Sequence, residues 1–322
     1  MVASDIALHR PDGESGRVLE VFMRVFVTGA SGWIGSAVVP ELLAAGHQVT
    51  GLARSDASAA ALAAAGVQVV RGTIDDLDVL REAASAADGV AHLAFKHDLA
   101  FTGDMQGAAD ADRAAVDALG EALAGTDRPF VIASGLLGLA PGRVATERDG
   151  ITGETAGNVN PRQVTAQATL ALAGRGVRSS VLRLPPTVHG DGDYGFLATI
   201  VGLARQTGVS GYVGDGAQRW PAVHRSDAAE LFRLALEQAP AGSALHAVAD
   251  EGVPMRLVAE VIGRKLDLPV ASVAPEQLSW IGSFMAIDSP ASATLTRDRL
   301  GWAPTGPSLL EDLEAGHYTA GV

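Results

Sequence analysis

Glycine recurs every third residue in the stretch TGASGWIG, at Gly29, Gly32 and Gly35. A β-branched run precedes these glycines and a helical pattern of apolar residues follows them, which is the context that makes such spacing informative. The first glycine permits a tight turn, the second lets the backbone approach a pyrophosphate, and the third lets the helix pack against the strand. The stretch therefore predicts a dinucleotide site. The predicted dinucleotide-binding turn also contains Thr28, Ser31, Trp33 and Ile34.

The type of dinucleotide is indicated by Arg54, which ends the second predicted strand HQVTGLAR, and by the following Ser55. An acidic residue at this position would hydrogen-bond the adenosine 2′-hydroxyl of NAD, whereas an arginine accommodates a 2′-phosphate. We therefore predict NADP(H) as the preferred cofactor and NAD(H) as the alternative. The competing interpretation of Arg54 is a solvated surface side chain.

A candidate acid-base group lies in HLAFKHDLAF, where Lys96, His97 and Asp98 follow the fourth predicted strand. A histidine beside a carboxylate can have a pKa near the working pH, as proton transfer requires. His97 is the first choice for a proton donor. Tyr194 in GDGDYGF is a second candidate, because its phenol could reach into the cleft. The competing interpretation for HLAFKHDLAF is a solvated charged loop without a chemical role.

These residues can act together only if the fold brings the ends of their strands to one place. The sequence pattern predicts alternating strands and helices from Met23 onward, which is typical of such a fold. We predict an α/β fold with a Rossmann-type doubly wound parallel sheet over residues 23–184. Residues 185–322 are predicted to form a smaller substrate-binding part, a mostly helical C-terminal cap with one strand near 245–249 that returns to the sheet. Residues 1–22 lack the pattern of a signal peptide and are predicted to be a poorly ordered extension.

The composition of the chain limits its partners. Of its 322 residues, 48% are hydrophobic and 19% are charged, which is enough apolar material for a sizeable core. The formal net charge of -13 opposes contact with nucleic acid or an anionic membrane, so the predicted partner is a small-molecule substrate, and a homodimer is left open. The sequence has no cysteine, which excludes disulfides and thiolate ligands and makes the cytoplasm the expected location. The histidines show no metal-binding spacing, and no metal is predicted.

Four motifs, taken together, resemble a known family. TGASGWIG, VAHLAF at the fourth strand, IASG at the fifth and LRLPPTVHGDGD after the sixth are similar, in this order, to the extended and atypical branches of the short-chain dehydrogenase/reductase superfamily, which include NAD-dependent epimerase/dehydratase-like proteins. The resemblance covers nearly the whole chain from Met23 onward. It implies that further residues line the cofactor groove, namely Thr73, Ile74, Leu93, Ala94, Phe95, Ser134, Arg162, Pro185 and Val188.

That superfamily transfers protons with a Tyr-x-x-x-Lys pair, in which the lysine holds the nicotinamide ribose and lowers the pKa of the tyrosine. In this chain the two positions fall on Asn158 and Arg162 of NVNPRQVTAQ, and no tyrosine occurs between Leu99 and Ser180. The resemblance implies that Arg162 keeps a cation for the ribose, while Asn158 cannot donate a proton to an alkoxide. It also implies that Ser134 hydrogen-bonds the substrate carbonyl, although a small polar residue that satisfies a loop is an equal alternative.

These observations predict an NADP(H)-dependent oxidoreductase that transfers hydride to a small or mid-sized ketone, imine or enone. The proton would come from His97, Tyr194 or water, with Ser134 and Asn158 polarising the acceptor. Two alternatives remain open. A non-catalytic NADP-sensing regulator would bind the nucleotide without turnover. A sugar-nucleotide epimerase or dehydratase would be expected to use the tyrosine that this chain lacks.

Overall fold

The computed structural model describes residues 22–150 and 160–320, so the predicted extension lies outside the described residues except for Phe22. The strands are short, from three to seven residues. They are β1 (Arg24–Thr28), β2 (Gln48–Ala53), β3 (Gln68–Arg71), β4 (Gly89–His92), β5 (Pro129–Gly135), β6 (Arg178–Leu184), β7 (Thr187–His189), β8 (Ser210–Val213), β9 (Arg219–His224), β10 (Ser243–His246), β11 (Asp250–Pro254) and β12 (Val270–Val273).

The seven-stranded central sheet has the order β10-β6-β5-β4-β1-β2-β3, and its strand pairs are parallel. The order reverses between β1 and β4, which is the topology of a doubly wound Rossmann fold. Successive residues of β1 face opposite sides of the sheet: Val25 and Val27 pack into one core, and Phe26 packs into the other. Burial on both faces explains why this strand is apolar throughout. The predicted Rossmann-type sheet is confirmed.

Helices cover both faces of this sheet. The α-helices of the described residues are α1 (Gly35–Ala44), α2 (Asp56–Ala64), α3 (Leu77–Ala86), α4 (His97–Phe101), α5 (Met105–Leu123), α6 (Pro161–Ala171), α7 (Phe196–Thr207), α8 (Arg225–Gln238), α9 (Met255–Leu266), α10 (Ile281–Met285), α11 (Thr294–Leu300) and α12 (Leu309–Ala315). On one face α1 packs against α8, and on the other α5 packs against α3 and α6. Among the described helices, none combines the length and the hydrophobicity that a membrane span requires.

Part of the chain after β6 forms a smaller region around a separate core, whereas α8, β10 and α11 pack into the core of the main sheet. Three of its strands make a sheet in the order β11-β9-β7, and β8 pairs in parallel with β12. Helices α7, α9 and α12 pack around the fully buried Trp220 of β9. The sequence pattern indicated helices and one returning strand; the structure places β10 beside β6 and adds two small sheets. Strands as short as TVH and SGYV are too brief to show an alternating pattern.

Asp227 fastens the C-terminal segment to the first turn of α8. Its carboxylate accepts the main-chain N–H groups of Thr305 and Gly306 at 3.0 Å, and its carbonyl oxygen accepts the Trp302 indole N–H at 3.0 Å. The negative charge is favourable at this end of the helix. These bonds hold the chain end against the fold, so that Tyr318 reaches the loop that follows β7.

Candidate functional site

The glycine-rich turn lies where β1 passes close to the end of β4. Gly29 has a left-handed backbone with φ +67°, and a Cβ atom there would lie 2.7 Å from the main-chain nitrogen of Ala94. A Cβ atom on Gly35 would collide with the carbonyl oxygen of Gly29, so α1 can begin this close to β1 only with glycine. These glycines let the main chain of the turn come close to the first turn of α1, and a helix N-terminus with an approachable backbone is the arrangement that binds a pyrophosphate. The turn fits the phosphates of a dinucleotide.

A buried hydrogen-bond network holds β1 and β4 together at this point. The Thr28 hydroxyl accepts the N–H groups of Leu93 and Ala94 at 3.2 Å and lies 2.8 Å from His92 Nδ1. His92 Nε2 lies 3.1 Å from a carboxylate oxygen of Asp112 in α5. Since the hydroxyl already accepts two N–H groups, it donates its hydrogen to Nδ1, and the ring donates from Nε2 to the carboxylate. Thr28, which was predicted to bind the cofactor, therefore uses its hydroxyl within the fold.

The other predicted groove residues differ in exposure. Ser31 and Thr73 are exposed, whereas Ile74 and Pro185 are buried. The half-buried ones are Ile34, Leu93, Ala94, Phe95 and Val188. They follow the carboxyl ends of β1, β3, β4 and β6 and so lie along one edge of the sheet, where ligands bind in folds of this type.

Two arginines lie at the carboxyl ends of β2 and β3. Arg54 has a side chain that is 75% exposed, and its guanidinium lies 4.0 Å from the carboxylate of Asp98. Arg71 donates to the main-chain oxygen of Ser55 and, at 2.7 Å, to the carboxylate of Asp56. The sequence offered no signal for Arg71, because a single arginine at the end of a short strand belongs to no motif. Each guanidinium lies beside a carboxylate, so this end of the groove holds two arginine–aspartate pairs.

A buried cation, Arg162, lies at the carboxyl end of β5. It belongs to the first turn of α6, which Asn160 caps by accepting the Arg162 N–H at 3.0 Å. The guanidinium stacks 4.2 Å from the centre of the Phe95 ring and donates to the carbonyl of Ala133 at 3.3 Å. Its Nε is buried and has no hydrogen-bond partner among the described residues. Burial lowers the pKa of Arg162, yet an arginine starts high enough to stay charged at neutral pH.

His97 begins α4 beside this cation. Its imidazole meets the Phe95 ring edge to face, with the ring centres 5.1 Å apart. The surrounding protein atoms and the charge of Arg162 lower the pKa of His97, and the Asp98 carboxylate opposes this effect. Although part of the side chain remains exposed to solvent, the lowered pKa makes the imidazole neutral at pH 7.

Ser134 completes the group of predicted site residues that the structure brings together. It is 4% exposed and follows, in β5, the residue whose carbonyl accepts from Arg162. Phe95 thus contacts both Arg162 and His97, and Arg162 in turn donates to the strand that carries Ser134. Asn158 lies outside the described residues.

Tyr194 is placed at the glycine-rich turn. Its side chain is 70% exposed, and its hydroxyl accepts the main-chain N–H of Trp33 at 3.0 Å. The two rings meet edge to face, with centres 6.0 Å apart. The contacts of Tyr194 are therefore at the phosphate end of the groove.

The chain is similar to proteins of known sequence and structure. A family model described as the NAD dependent epimerase/dehydratase family matches residues 25–248. An uncharacterized protein of Schizosaccharomyces pombe is 47% identical over 301 residues, covering 92% of this chain and 100% of the yeast protein. The 4-hydroxy-2-methyl-3-oxo-4-farnesyl-3,4-dihydroquinoline-1-oxide ketoreductase of Stigmatella aurantiaca is 28% identical over 243 residues, covering 73% of this chain and 70% of that protein. A solved UDP-glucose 4-epimerase of Thermotoga maritima shares the fold, with a TM-score of 0.70 and 18% identity over 92% of this chain and 97% of that one.

Proposed function

We propose that this chain, which belongs to the NAD dependent epimerase/dehydratase family, reduces a small or mid-sized ketone, imine or enone with hydride from NADPH. Its family makes it an NAD(P)-binding enzyme of the oxidoreductase type, so the alternative of a non-catalytic regulator is set aside. The observation that carries the proposal is the buried Arg162, whose Nε has no hydrogen-bond partner among the described residues and whose guanidinium stacks on Phe95, which also contacts His97. The relative named as a ketoreductase supports a carbonyl acceptor.

NADP(H) is proposed as the cofactor because arginines lie at the carboxyl ends of β2 and β3. Arg54 and Arg71 offer guanidinium donors that suit a 2′-phosphate, and arginine stands where an acid would bind the 2′-hydroxyl of NAD. The glycine-rich turn would hold the pyrophosphate. The Nε of Arg162, which has no partner in the described part of the chain, would donate to a ribose hydroxyl. These assignments place the cofactor along the whole sheet edge.

When bound, the nicotinamide supplies the hydride that reaches the acceptor carbon. Ser134 would donate a hydrogen bond to the acceptor heteroatom as negative charge develops there. Arg162 adds a positive charge that does not titrate near neutral pH. His97 would exchange the proton: the imidazolium gives it to the reduced product, and in the reverse direction the neutral imidazole accepts it.

Turnover with an acceptor panel tests this proposal. NADPH fluorescence is expected to fall when the protein is mixed with at least one class among ketones, imines and enones. Ser134→Ala should lower kcat by about a hundredfold, because it removes a donor to the developing charge. Ser180→Ala, which changes another buried strand serine, is the matched control and should leave kcat unchanged. Tight NADPH binding with no oxidation across the panel would contradict the proposal.

Cofactor preference gives a second test. The wild-type protein is expected to bind NADPH more tightly than NADH, and Arg54→Ala or Arg71→Ala should weaken NADPH binding by about tenfold while leaving NADH binding unchanged. Arg81→Ala serves as the control, because Arg81 pairs with Asp78 and Glu121 on α3 and α5 away from this edge. Fluorescence titration measures the affinity of each of the four proteins for NADPH and for NADH. Tighter binding of NADH, or an equal loss for both cofactors, would be the contrary result.

The lowered pKa of His97 predicts a pH dependence. In the direction that oxidises an alcohol, the neutral imidazole is the active form, so kcat should be level at pH 7 and fall on the acid side of a pKa that lies below the ordinary 6.5. His97→Gln should reduce kcat by about a hundredfold, remove this acid limb and leave the Kd for NADPH unchanged. Steady-state rates across pH measure the effect. Unchanged turnover in His97→Gln would exclude the residue as the acid-base group.

A further inference from the structure

Trp33 of the glycine-rich turn is contacted by the loop between β7 and α7, by β7 itself and by α8. The main-chain N–H of Trp33 donates to the Tyr194 hydroxyl at 3.0 Å, and its indole N–H donates to the carbonyl of Val188 at 2.8 Å. The guanidinium of Arg225 stacks 4.5 Å from the centre of the Trp33 ring. The loop and the turn are therefore in direct contact at the phosphate end of the groove.

The hydrogen bond to Tyr194 uses a donor that a pyrophosphate would need. Trp33 lies between Gly32 and the start of α1, among the main-chain N–H groups that face an anion at a helix N-terminus. The phenolic oxygen is within hydrogen-bonding distance of that N–H and so occupies the position of a phosphate oxygen. A phenol can also donate a hydrogen bond, so it can bind the phosphate that displaces it.

Tyr318 of the C-terminal segment anchors the start of this loop and Asp193, which in turn bonds to the end of the loop. The hydroxyl of the buried Tyr318 accepts the N–H of Gly190 at 3.1 Å and donates to the Asp193 carboxylate at 2.9 Å. The other carboxylate oxygen of Asp193 accepts the N–H of Gly195 at 2.6 Å. Between these anchors Tyr194 is exposed, and Gly192 has a positive φ of 80° that gives the backbone freedom to turn.

We propose that Tyr194 gates the pyrophosphate site: its phenol exchanges the Trp33 N–H for a phosphate oxygen when the dinucleotide binds, and Tyr318 is the positioning residue that holds the loop for this exchange. The gate rests on the proposed function only in requiring that the chain bind a dinucleotide. It also gives Tyr194 a role in cofactor binding instead of in proton donation.

Stopped-flow measurement of NADPH binding to Tyr194→Phe tests the gate. Loss of the hydroxyl removes the bond that must break on entry and the donor that retains the phosphate, so association should be faster and dissociation should be faster by about tenfold or more. The affinity for adenosine 2′-monophosphate, which has no pyrophosphate, should not change. Tyr212→Phe is the matched control, because Tyr212 lies in β8 and stacks on Arg256 within the smaller region.

The variant Tyr318→Phe tests whether Tyr318 positions the loop that carries Tyr194 or only stabilises the fold. It should speed NADPH dissociation in the same direction, and the double variant with Tyr194→Phe should dissociate no faster than Tyr194→Phe alone, because Tyr318 acts through Tyr194. Additive effects would show a merely structural role for Tyr318. NADPH rates in Tyr194→Phe equal to those of Tyr212→Phe would overturn the gate and leave the proposed function intact. Failure of the wild-type protein to bind either NADPH or NADH would overturn both.

Discussion

The close approach of Gly29 to the end of β4 is the constraint on which the rest of the site depends. No side chain fits between Gly29 and Ala94, so β1 and β4 meet where the strand order reverses. The approach buries the main-chain N–H groups of Leu93 and Ala94, and the Thr28 hydroxyl accepts both. The same hydroxyl hydrogen-bonds to the His92 ring, which hydrogen-bonds to Asp112. A satisfied polar network of this kind fixes one geometry in a low-dielectric core. It aligns the glycine-rich turn with the end of β4.

The opposite end of the groove depends on a cation kept inside the protein. Burial of Arg162 is unfavourable by itself, and the face of Phe95 and the carbonyl of Ala133 offset part of that cost. A guanidinium, unlike a lysine ammonium, keeps its charge when it is desolvated. The chain thus has a fixed positive charge at this position and no tyrosine in the nearby sequence. His97 contacts the same phenylalanine ring as Arg162, and for this reason we propose it as the group that transfers the proton.

Much of the fold and part of the site could be predicted from the sequence. The glycine spacing and the alternation of strands and helices are local patterns, and they specified the parallel sheet and the phosphate turn. His92 and Asp112 are far apart in sequence, as are Trp33 and Tyr194, so no local pattern reveals their contacts. No local pattern reveals the position of Arg71 either, because the pairing of β3 with β2 brings Arg71 close to the end of β2. The sequence marked Tyr194 as a reactive phenol, but only the fold shows which end of the groove it contacts.

Transfer of deuterium from NADPH labelled at the reactive C4 position tests the central claim most directly. Mass spectrometry of the products formed from the acceptor panel is expected to find deuterium on the reduced carbon, with the cofactor oxidised in equal amount. An epimerase would instead leave the amount of reduced cofactor unchanged at the end of the reaction. Products without deuterium, formed while the labelled NADPH remains reduced, would contradict hydride transfer to an external acceptor.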